Sequence, residues 1–248
     1  NDEMRSLIDI SELTPTEIGE LIATADDIIA DPAKYSEKCR GKKLATLFFE
    51  PSTRTRLSFE AAMLELGGSV LGFSEAQSSS AAKDESIADT AKVISCYADI
   101  IAMRHPKEGA PAVASGHSSV PVINAGDGGH HHPTQTLADL LTLKREKGRL
   151  GNLTGGFCGD LRYGRTVHSL IGALSRYEGI RFVLISPQEL SLPEFVKKSY
   201  LTEENYEEST SLEEKIGQLD VLYMTRVQKE RFTDLEKYES LKDVYVLT

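Results

Sequence analysis

Residues 44–56, LATLFFEPSTRTR, join an apolar run to a turn of hydroxyl and guanidinium side chains. The run 44–49 predicts a buried β-strand, because short apolar segments of this length are typical of strands inside a parallel sheet. Ser52 or Thr53 predicts the start of a helix that continues to Leu66. A strand that leads into a helix is the first half of a βαβ unit, so this stretch indicates a parallel sheet covered by helices.

Strand and helix signals alternate along the rest of the chain. Thr14, Pro15 and Glu17 predict a capped helix start, and Asp31-Pro32 predicts the end of that helix. Further strands are predicted at residues 69–73, 100–103, 120–123, 154–158, 180–185, 221–224 and 244–247. Further helices are predicted at residues 87–98, 133–147, 164–177 and 192–199, with a short Ala-rich helix before residue 120. This order of elements favours parallel sheets built from βαβ units.

The alternation restarts near residue 150, which indicates two domains rather than one. We therefore predict the α/β class, with two three-layer domains of similar size, each a parallel sheet flanked by helices. The first domain is expected to span residues 1–132 and the second residues 150–248, with an interdomain helix at 133–149.

The composition excludes several classes of partner. Lys and Arg number 28 against 38 Asp and Glu, a formal net charge of −10, which disfavours a nucleic-acid backbone or an anionic membrane. No apolar run reaches the roughly 18 residues that a membrane span needs, and no secretory signal is visible at the start. The three cysteines, Cys39, Cys96 and Cys158, form no CxxC pair and predict reduced thiols in a cytoplasmic protein.

The turn at residues 52–55 has the chemistry of an anion site. The first turn of a helix carries unpaired N–H groups and the positive end of the helix dipole. Hydroxyl groups at Ser52, Thr53 and Thr55 add donors, and Arg54 adds a charged fork that matches a phosphate. The alternative is an ordinary Ser/Thr cap with two solvated arginines. The position after a parallel strand favours a ligand site, because α/β proteins bind ligands at that edge.

Two common nucleotide-binding motifs are missing from the sequence. No GxxxxGK[ST] segment is present, and no GxGxxG segment follows a predicted strand. The glycines at 155–159 have a different spacing and lie within a predicted strand. Nucleotide-dependent kinases and NAD enzymes are therefore poor fits.

Six segments in order and spacing together resemble the aspartate/ornithine transcarbamoylase family. They are residues 48–60, 102–106, 124–128, 132–135, 160–169 and 223–231. The match covers essentially the whole chain, and it is closest to the aspartate branch of the family. The resemblance implies transfer of the carbamoyl group of carbamoyl phosphate to L-aspartate, giving N-carbamoyl-L-aspartate and phosphate in pyrimidine biosynthesis. It also implies a homotrimer with shared active sites and no metal or cofactor.

The resemblance assigns roles in the carbamoyl phosphate half of the site. Ser52, Thr53, Arg54 and Thr55 would hold the phosphate, and Thr55 would also reach the carbonyl oxygen. Three further residues would act on the carbamoyl group: Arg104 and His132 by polarising its oxygen, and Gln135 by binding its amide.

The resemblance also assigns residues that come from other parts of the assembly. Arg165, Arg226 and Gln228 would grip the two carboxylates of aspartate, in a cleft between the domains. Ser79 and Lys83 match a loop that family members insert into the site of the neighbouring subunit. Some family members also bind a separate regulatory chain, and the sequence leaves open whether this chain does.

The remaining histidines and two arginines are not assigned to the site. Three adjacent histidines at 130–132 cannot all face one ion, so we expect His130 and His131 to be loop residues rather than metal ligands. Structural or surface roles are expected of His105, His117 and His168, and none is assigned to Arg162 and Arg231.

Two alternatives remain open at this point. Ornithine carbamoyltransferases share the carbamoyl phosphate half, but their second half carries Trp and Ser-Met-Gly, where this chain has Thr225-Arg226-Val227-Gln228 and no Trp. The other alternative is a non-catalytic binding module, or a domain of a larger chain. The family continues with a His-Pro-Leu-Pro motif and a closing helix, whereas this sequence starts without Met and stops at Thr248, so we expect it to be truncated.

Overall fold

The computed structural model describes residues 5–74 and 86–226 of the chain. Two compact units divide the chain, Asn1–Leu137 and Ala138–Thr248. Each unit holds a four-stranded parallel sheet among its described residues, flanked by helices. The predicted class, two α/β units with parallel sheets, is confirmed.

The first unit follows the predicted alternation closely. Its strands are β1 (Lys43–Phe48), β2 (Ser69–Ser74), β3 (Ile100–His105) and β4 (Val122–Asp127). Its helices are α1 (Pro15–Ala30), α2 (Thr53–Glu65), α3 (Ile87–Ile94) and α4 (Ala110–His117), and α5 (Pro133–Lys147) crosses into the second unit. Short 3₁₀ helices lie at Ile10–Glu12 and Pro32–Tyr35.

The core of the first unit forms on both faces of β1. Leu47 and its neighbours pack on one face with Ile101 and Met103 of β3, and all three side chains are fully buried. Leu44 packs on the other face with Met63 of α2. Side chains that alternate between two covered faces explain why the whole strand reads as an apolar run.

The strand order of the first sheet creates a crevice between β1 and β3. The order is β2-β1-β3-β4, so the chain moves to one side of β1 and then returns to its other side. Phe48 is in register with Arg104, and the Phe49 N–H donates to the Arg104 carbonyl at 2.9 Å. Ligands of open α/β sheets bind at such a reversal, outside the carboxyl ends of the strands.

The second unit repeats this plan. Its strands are β5 (Thr154–Cys158), β6 (Arg181–Ile185), β7 (Tyr206–Ser209) and β8 (Val221–Met224), in the order β7-β6-β5-β8. Its helices are α6 (Arg165–Leu174), α7 (Glu194–Tyr200) and α8 (Leu212–Lys215), with 3₁₀ helices at Gln188–Leu190 and Ile216–Gln218. The order reverses between β5 and β8, where the Thr225 N–H donates to the Cys158 carbonyl at 2.9 Å.

A shared detail at the amino edges supports the common plan. The Asp99 carboxylate accepts the Lys43 N–H at 2.9 Å, just before β3 and at the start of β1. The Asp220 carboxylate accepts the Thr154 N–H at 2.7 Å, just before β8 and at the start of β5. In both units an aspartate thus links the two strands that border the crevice.

Several elements differ from the predictions. α3 and α6 end four and three residues earlier than predicted, and α8 was not predicted. β4 begins two residues later than predicted and continues to Asp127, so Asn124 and Gly126 belong to the strand. β7 was not predicted, because its sequence Tyr-Glu-Glu-Ser has no apolar run and lies at the sheet edge. The strand predicted at 244–247 lies outside the described residues.

Two further observations concern the whole described chain. Cys39, Cys96 and Cys158 are free thiols. Within residues 5–74 and 86–226, the structure has no helix with both the length and the apolar character of a membrane span.

Candidate functional site

The turn after β1 presents side chains that its own helix does not use. Ser52 is the N-cap residue of α2, yet its hydroxyl forms no capping hydrogen bond. Thr53 and Arg54 are exposed, and Ser52 and Thr55 are half-buried. Among the described residues, none of these four side chains has a hydrogen-bond or ion-pair partner. This arrangement disfavours the ordinary cap and leaves the donors of the turn available to an anion.

Arg56, in contrast, is a structural residue of the same turn. Its Nε donates to Glu60 Oε1 at 2.9 Å, and the Thr46 hydroxyl donates to the same oxygen at 2.9 Å. The Glu60 carboxylate therefore ties α2 to β1. Two arginines separated by one residue thus have different uses, which the sequence alone did not distinguish.

Arg104 lies at the end of β3, beside the turn. Its Nη1 donates to the Ala125 carbonyl at 3.1 Å, and its guanidinium lies against Gly126. Gly126 has φ +123°, and a Cβ there would lie 2.9 Å from Nη1, so glycine is required for this approach. Arg104 forms no ion pair with a carboxylate in the described part of the chain. Its charge therefore remains available at the crevice.

His132 is neutral at physiological pH. Burial and, to a lesser extent, the Arg104 charge lower its pKa to about 4, and the Asp127 charge opposes this shift. Its Nδ1 lies 3.3 Å from the Thr134 hydroxyl. When that hydroxyl donates to Nδ1, the ring proton is on Nε2, which can then donate to a substrate oxygen. The exposed Gln135 follows in the first turn of α5, where its N–H donates to the His132 carbonyl at 3.1 Å.

The three adjacent histidines have separate contacts. His130 Nδ1 lies 3.1 Å from Asp127 Oδ2, and His131 Nε2 lies 3.3 Å from Asp9 Oδ2. His132 is directed instead to Thr134. No group of three or more His, Cys, Asp or Glu side chains in residues 5–74 and 86–226 converges as metal ligands do.

The other unassigned histidines have structural contacts or lie at the surface. His168 is buried, with Nε2 at 2.7 Å from the Leu161 carbonyl, and burial lowers its pKa. His105 Nδ1 accepts the Lys107 N–H at 2.9 Å. His117 is the last residue of α4.

The second unit presents two arginines at its own strand reversal. Arg165 is the first residue of α6 and is exposed, and its N-cap, Gly164, offers no side-chain cap. Arg226 is exposed two residues after β8. Within the described residues neither side chain has an ion-pair partner. Gly159, after β5, has φ +120°, and any Cβ there would collide with the Thr225 carbonyl, so glycine permits the close approach of β5 and β8.

Arg162 is occupied by local contacts. Its Nη1 donates to the Glu189 carbonyl at 3.4 Å, and its guanidinium lies 5.2 Å from the centre of the Tyr163 ring. The buried Asp160 accepts the Arg162 and Tyr163 N–H groups at 3.1 and 3.0 Å, which fixes the turn before Arg165.

The predicted site residues thus fall into three groups. In the first unit, one edge of the sheet carries Ser52, Thr53, Arg54, Thr55, Arg104, His132 and Gln135. In the second unit, Arg165 and Arg226 lie at the equivalent edge. Ser79, Lys83 and Gln228, together with the unassigned Arg231, lie outside the described residues.

Sequence reasoning missed two buried acids that organise these edges, Asp127 and Asp160. The signal was an aspartate beside glycine directly after a strand pattern, in Gly126-Asp127-Gly128 and Gly159-Asp160. Two parallel α/β units with uncompensated cationic side chains at both strand reversals define a protein that binds small anionic molecules.

Comparison with models of known protein families identifies the family to which the chain belongs. The model described as "Aspartate/ornithine carbamoyltransferase, carbamoyl-P binding domain" matches residues 5–145. The model described as "Aspartate/ornithine carbamoyltransferase, Asp/Orn binding domain" matches residues 152–248. The chain therefore belongs to the aspartate/ornithine carbamoyltransferase family.

Individual relatives are named for the aspartate branch. The chain is 66% identical to the aspartate carbamoyltransferase catalytic subunit of Lachnoclostridium phytofermentans, over 98% of this chain and 80% of that protein. The solved catalytic subunit of M. jannaschii aspartate transcarbamoylase is 48% identical, with a TM-score of 0.89 over 98% of this chain and 80% of that one. The Trypanosoma cruzi enzyme, solved with carbamoyl phosphate and aspartate, is 36% identical, with a TM-score of 0.84 over 96% and 77% of the two chains. The predicted resemblance to the aspartate branch is confirmed.

Proposed function

We propose that this chain transfers the carbamoyl group of carbamoyl phosphate to the amine of L-aspartate, giving N-carbamoyl-L-aspartate and phosphate in pyrimidine biosynthesis. The chain is a carbamoyl-group transferase. The main observation behind this proposal is the turn at 52–55, near Arg104 at the strand reversal. Its side-chain donors have no partner among the described residues. A helix start with these side chains fits a phosphate group, and the adjacent arginine fits the oxygen of the group that is transferred.

The first unit supplies the electrophile half of the reaction. Ser52, Thr53, Arg54 and Thr55 hold the phosphate against the positive end of α2. Arg104 and His132 donate to the carbonyl oxygen, with Thr55, as negative charge collects there. Each donor that is already in place contributes about 3 kcal/mol in comparable acyl transfers. Gln135 binds the carbamoyl amide and fixes its orientation.

The reaction needs no covalent enzyme intermediate. The neutral amine of aspartate attacks the carbonyl carbon, a C–N bond forms, and the C–O bond to phosphate breaks. Phosphate leaves with the bonding electrons and takes up the amine proton. We therefore propose that neither metal nor cofactor takes part, because phosphate is already a good leaving group and the protein donors stabilise the charge on the carbonyl oxygen.

The second unit favours aspartate over ornithine. Arg165 and Arg226 carry exposed guanidinium groups, which match two carboxylates, and Gln228 completes this set in our proposal. An ornithine site would need a carboxylate for the side-chain ammonium. Asp160 lies at this edge, but it is buried and accepts two N–H groups of its own turn.

We propose that one active site uses residues of both domains. We place the cleft between a carbamoyl phosphate domain at residues 1–132 and an aspartate domain at 150–248, joined by the helix at 133–149. Binding both anions in one cleft requires several cations to offset their repulsion, and the two edges supply Arg54, Arg104, Arg165 and Arg226.

A homotrimer with shared sites completes the proposal. Ser79 and Lys83 would reach into the site of the neighbouring subunit. An exposed apolar stripe on α2 supports contact with a second copy: Leu57 and Leu64 are 56% and 57% exposed and lie on the same face of the helix. The same trimer would be the unit that binds a separate regulatory chain, as some members of the family do. Three free thiols favour a reducing compartment, and we place the enzyme in the cytoplasm.

A substrate competition assay tests the reaction. Purified protein is given carbamoyl phosphate with aspartate, with ornithine, or with both, and carbamoylated products are separated and quantified. We expect N-carbamoyl-L-aspartate alone. Citrulline as the main product would establish the ornithine alternative, and tight binding of carbamoyl phosphate without turnover would establish the binding module.

Complementation tests the shared site. Inactive Arg54→Ala and Lys83→Ala chains are mixed, dissociated and reassembled. If each site combines Arg54 of one subunit with Lys83 of its neighbour, random trimers regain about a quarter of the native activity. Sites made within one chain would leave every mixture inactive.

A further inference from the structure

Asp127 is a buried carboxylate with four hydrogen-bond donors. It is the last residue of β4 and is 1% exposed. Its Oδ1 accepts the His131 N–H at 2.7 Å and the Asn124 side-chain amide at 3.3 Å. Its Oδ2 accepts the Gly109 N–H at 3.0 Å and lies 3.1 Å from His130 Nδ1.

The four donors come from three different elements. Asn124 belongs to β4, Gly109 is the N-cap residue of α4, and His130 and His131 belong to the loop at 128–132. The backbone closes the same loop, since the Asp127 N–H donates to the His131 carbonyl at 3.2 Å and the His130 N–H donates back to the Asp127 carbonyl at 3.2 Å. Asp127 is therefore the point where the strand, the helix start and the loop meet.

The other end of the loop is also fixed. The Gly128 N–H donates to the His105 carbonyl at the end of β3, at 2.9 Å. Gly128 has φ +65°, and a Cβ there would lie 2.6 Å from the Pro106 carbonyl oxygen, so the loop lies tightly against β3. The loop ends at His132, whose position thus depends on contacts that Asp127 makes.

The buried charge is stable only because these donors converge. Burial by itself raises the pKa of Asp127, but the hydrogen bonds from Gly109, His131, His130 and Asn124 outweigh it and lower the pKa. A carboxylate is expensive to bury and contributes little to stability compared with an apolar side chain of similar size. Its four hydrogen bonds fix the relative positions of β4, the start of α4 and the loop at 128–132.

We propose that Asp127 is a positioning residue for carbamoyl transfer, because its carboxylate holds the loop that places the His132 ring at the carboxyl edge of β3 and β4. This role rests on the proposed function, because Asp127 acts on the reaction only through His132. Asp127 itself does not touch the substrate. The loop that it holds brings a neutral ring to the point where charge develops on the carbonyl oxygen.

The isosteric variant Asp127→Asn tests this role. An amide has the same shape, but both oxygens of Asp127 accept hydrogen bonds, so the amide N–H groups face a donor in either orientation. We expect kcat to fall about 10- to 100-fold, as displacement of a reacting group by about 1 Å does. The KM for aspartate should stay within about two-fold, because Arg165 and Arg226 are unchanged.

A double-mutant cycle separates positioning from a structural effect. The kcat of wild type, Asp127→Asn, His132→Ala and the double variant are compared, with circular dichroism and Tm to verify folding. We expect Asp127→Asn to lower kcat in wild type and to have no further effect in the His132→Ala background. An equal loss of kcat in both backgrounds would overturn the positioning role. Full kcat in His132→Ala alone would instead overturn the function assigned to His132, and the inference with it.

Two more variants complete the test, one as a control and one as a replacement if Asp127→Asn does not fold. Asp99→Asn is the matched control, since Asp99 also accepts a backbone N–H of this sheet but at the opposite edge, and we expect unchanged kcat. If Asp127→Asn does not fold, His130→Ala replaces it, because this variant removes one partly exposed donor and keeps the carboxylate. We expect a loss of kcat of about two- to five-fold that disappears in the His132→Ala background, and a loss that persists there would overturn the proposal.

Discussion

The starts of α1 and α2 use the same class of residue for different purposes. At α1 the Thr14 hydroxyl accepts the Glu17 N–H at 3.1 Å, and the Glu17 carboxylate accepts the Thr14 N–H at 3.0 Å. At α2 the Ser52 hydroxyl forms no capping bond, and the first turn contains no acidic residue. The first helix start is closed by its own side chains, and the second is left open for an anion.

The same difference recurs elsewhere in the chain. α3 and α8 are closed by Ser86 and Ser211, whose hydroxyls accept the N–H groups of Asp89 and Glu214. α6 is of the open type, with Gly164 at its N-cap position and no acid in its first turn. α2 and α6 follow β1 and β5, which are each one of the two strands beside a reversal. α4, which follows β3, also lacks a side-chain cap at its N-cap residue, Gly109. We propose that the starts of α2 and α6 lack a side-chain cap because their N–H groups bind ligand.

The largest expected effect is on the chemistry at α2. Thr55→Ala should lower kcat about 100- to 1,000-fold, because it removes a donor to the charge that develops on the carbonyl oxygen. The stability of the variant should be unchanged, since the Thr55 hydroxyl has no hydrogen-bond partner among the described residues. Steady-state kinetics and urea denaturation measure both quantities. Thr14→Ala is the matched control, with kcat unchanged, and a similar loss in both variants would end the distinction between open and closed starts.

A smaller effect is expected at the second reversal. Arg226→Ala should raise the KM for aspartate about 10- to 100-fold and leave the KM for carbamoyl phosphate unchanged, because a charged hydrogen bond to one substrate is lost. Arg162→Ala is the control, since the Arg162 guanidinium already donates to the Glu189 carbonyl. Initial rates at varied aspartate measure the change. An unchanged KM for aspartate would remove Arg226 from the site.

A third prediction concerns His132, which precedes α5. Its pKa in the folded chain, about 4, lies below the value of about 6.5 expected in the unfolded chain. Between these values the unfolded chain binds the proton and the folded chain does not, so this contribution to stability is complete above about pH 6.5 and is lost as the pH falls toward 4. His132→Gln should reduce the loss of stability between pH 7 and 4.5 by about 1–3 kcal/mol. Urea denaturation at both pH values measures it, and equal losses in variant and wild type would show that the ring is not held neutral by burial.

The smallest expected effect is on the free energy of unfolding, which compares the N-cap residues of α1 and α2 directly. Thr14→Ala should lower the free energy of unfolding by about 1 kcal/mol, because the Glu17 N–H loses its acceptor. Ser52→Ala should change it by less than about 0.5 kcal/mol, since no capping bond is lost. Chemical denaturation with both variants in parallel gives the difference. A loss at Ser52 equal to that at Thr14 would indicate that Ser52 caps α2 in solution.

Local signals predicted most of the secondary structure. The capping box at Thr14 and Glu17 is present as predicted, and β5 has the predicted bounds. The bounds of β4 were harder to predict, because polar residues such as Asn124 and Asp127 and a flexible residue such as Gly126 are typical of a loop. These residues are accommodated in a strand since Asn124 donates to the Ile8 carbonyl at 3.0 Å and accepts the Gly126 N–H at 2.8 Å. The Ile8 partner comes from a distant part of the chain and leaves no local pattern.

The roles of individual arginines were less predictable than the elements that carry them. Residue type and spacing do not distinguish the role of Arg54 from that of Arg56. In the structure, Arg56 is paired with Glu60, whereas Arg54 has no partner among the described residues. The resemblance to the transcarbamoylases separated the site residues from their neighbours. The structure adds the reason for Arg56, whose guanidinium is already paired with the Glu60 carboxylate.

The sequence by itself determined the alternation of strands and helices, the helix starts, and the concentration of donors at residues 52–55, because these depend on neighbours a few positions apart. The tertiary structure decided that Phe48 lies beside Arg104 and that Cys158 lies beside Thr225. It also decided that four donors converge on Asp127. Parallel pairing brings together strand ends that are tens of residues apart, and the periodicity of a single strand does not specify which strand will lie next to it.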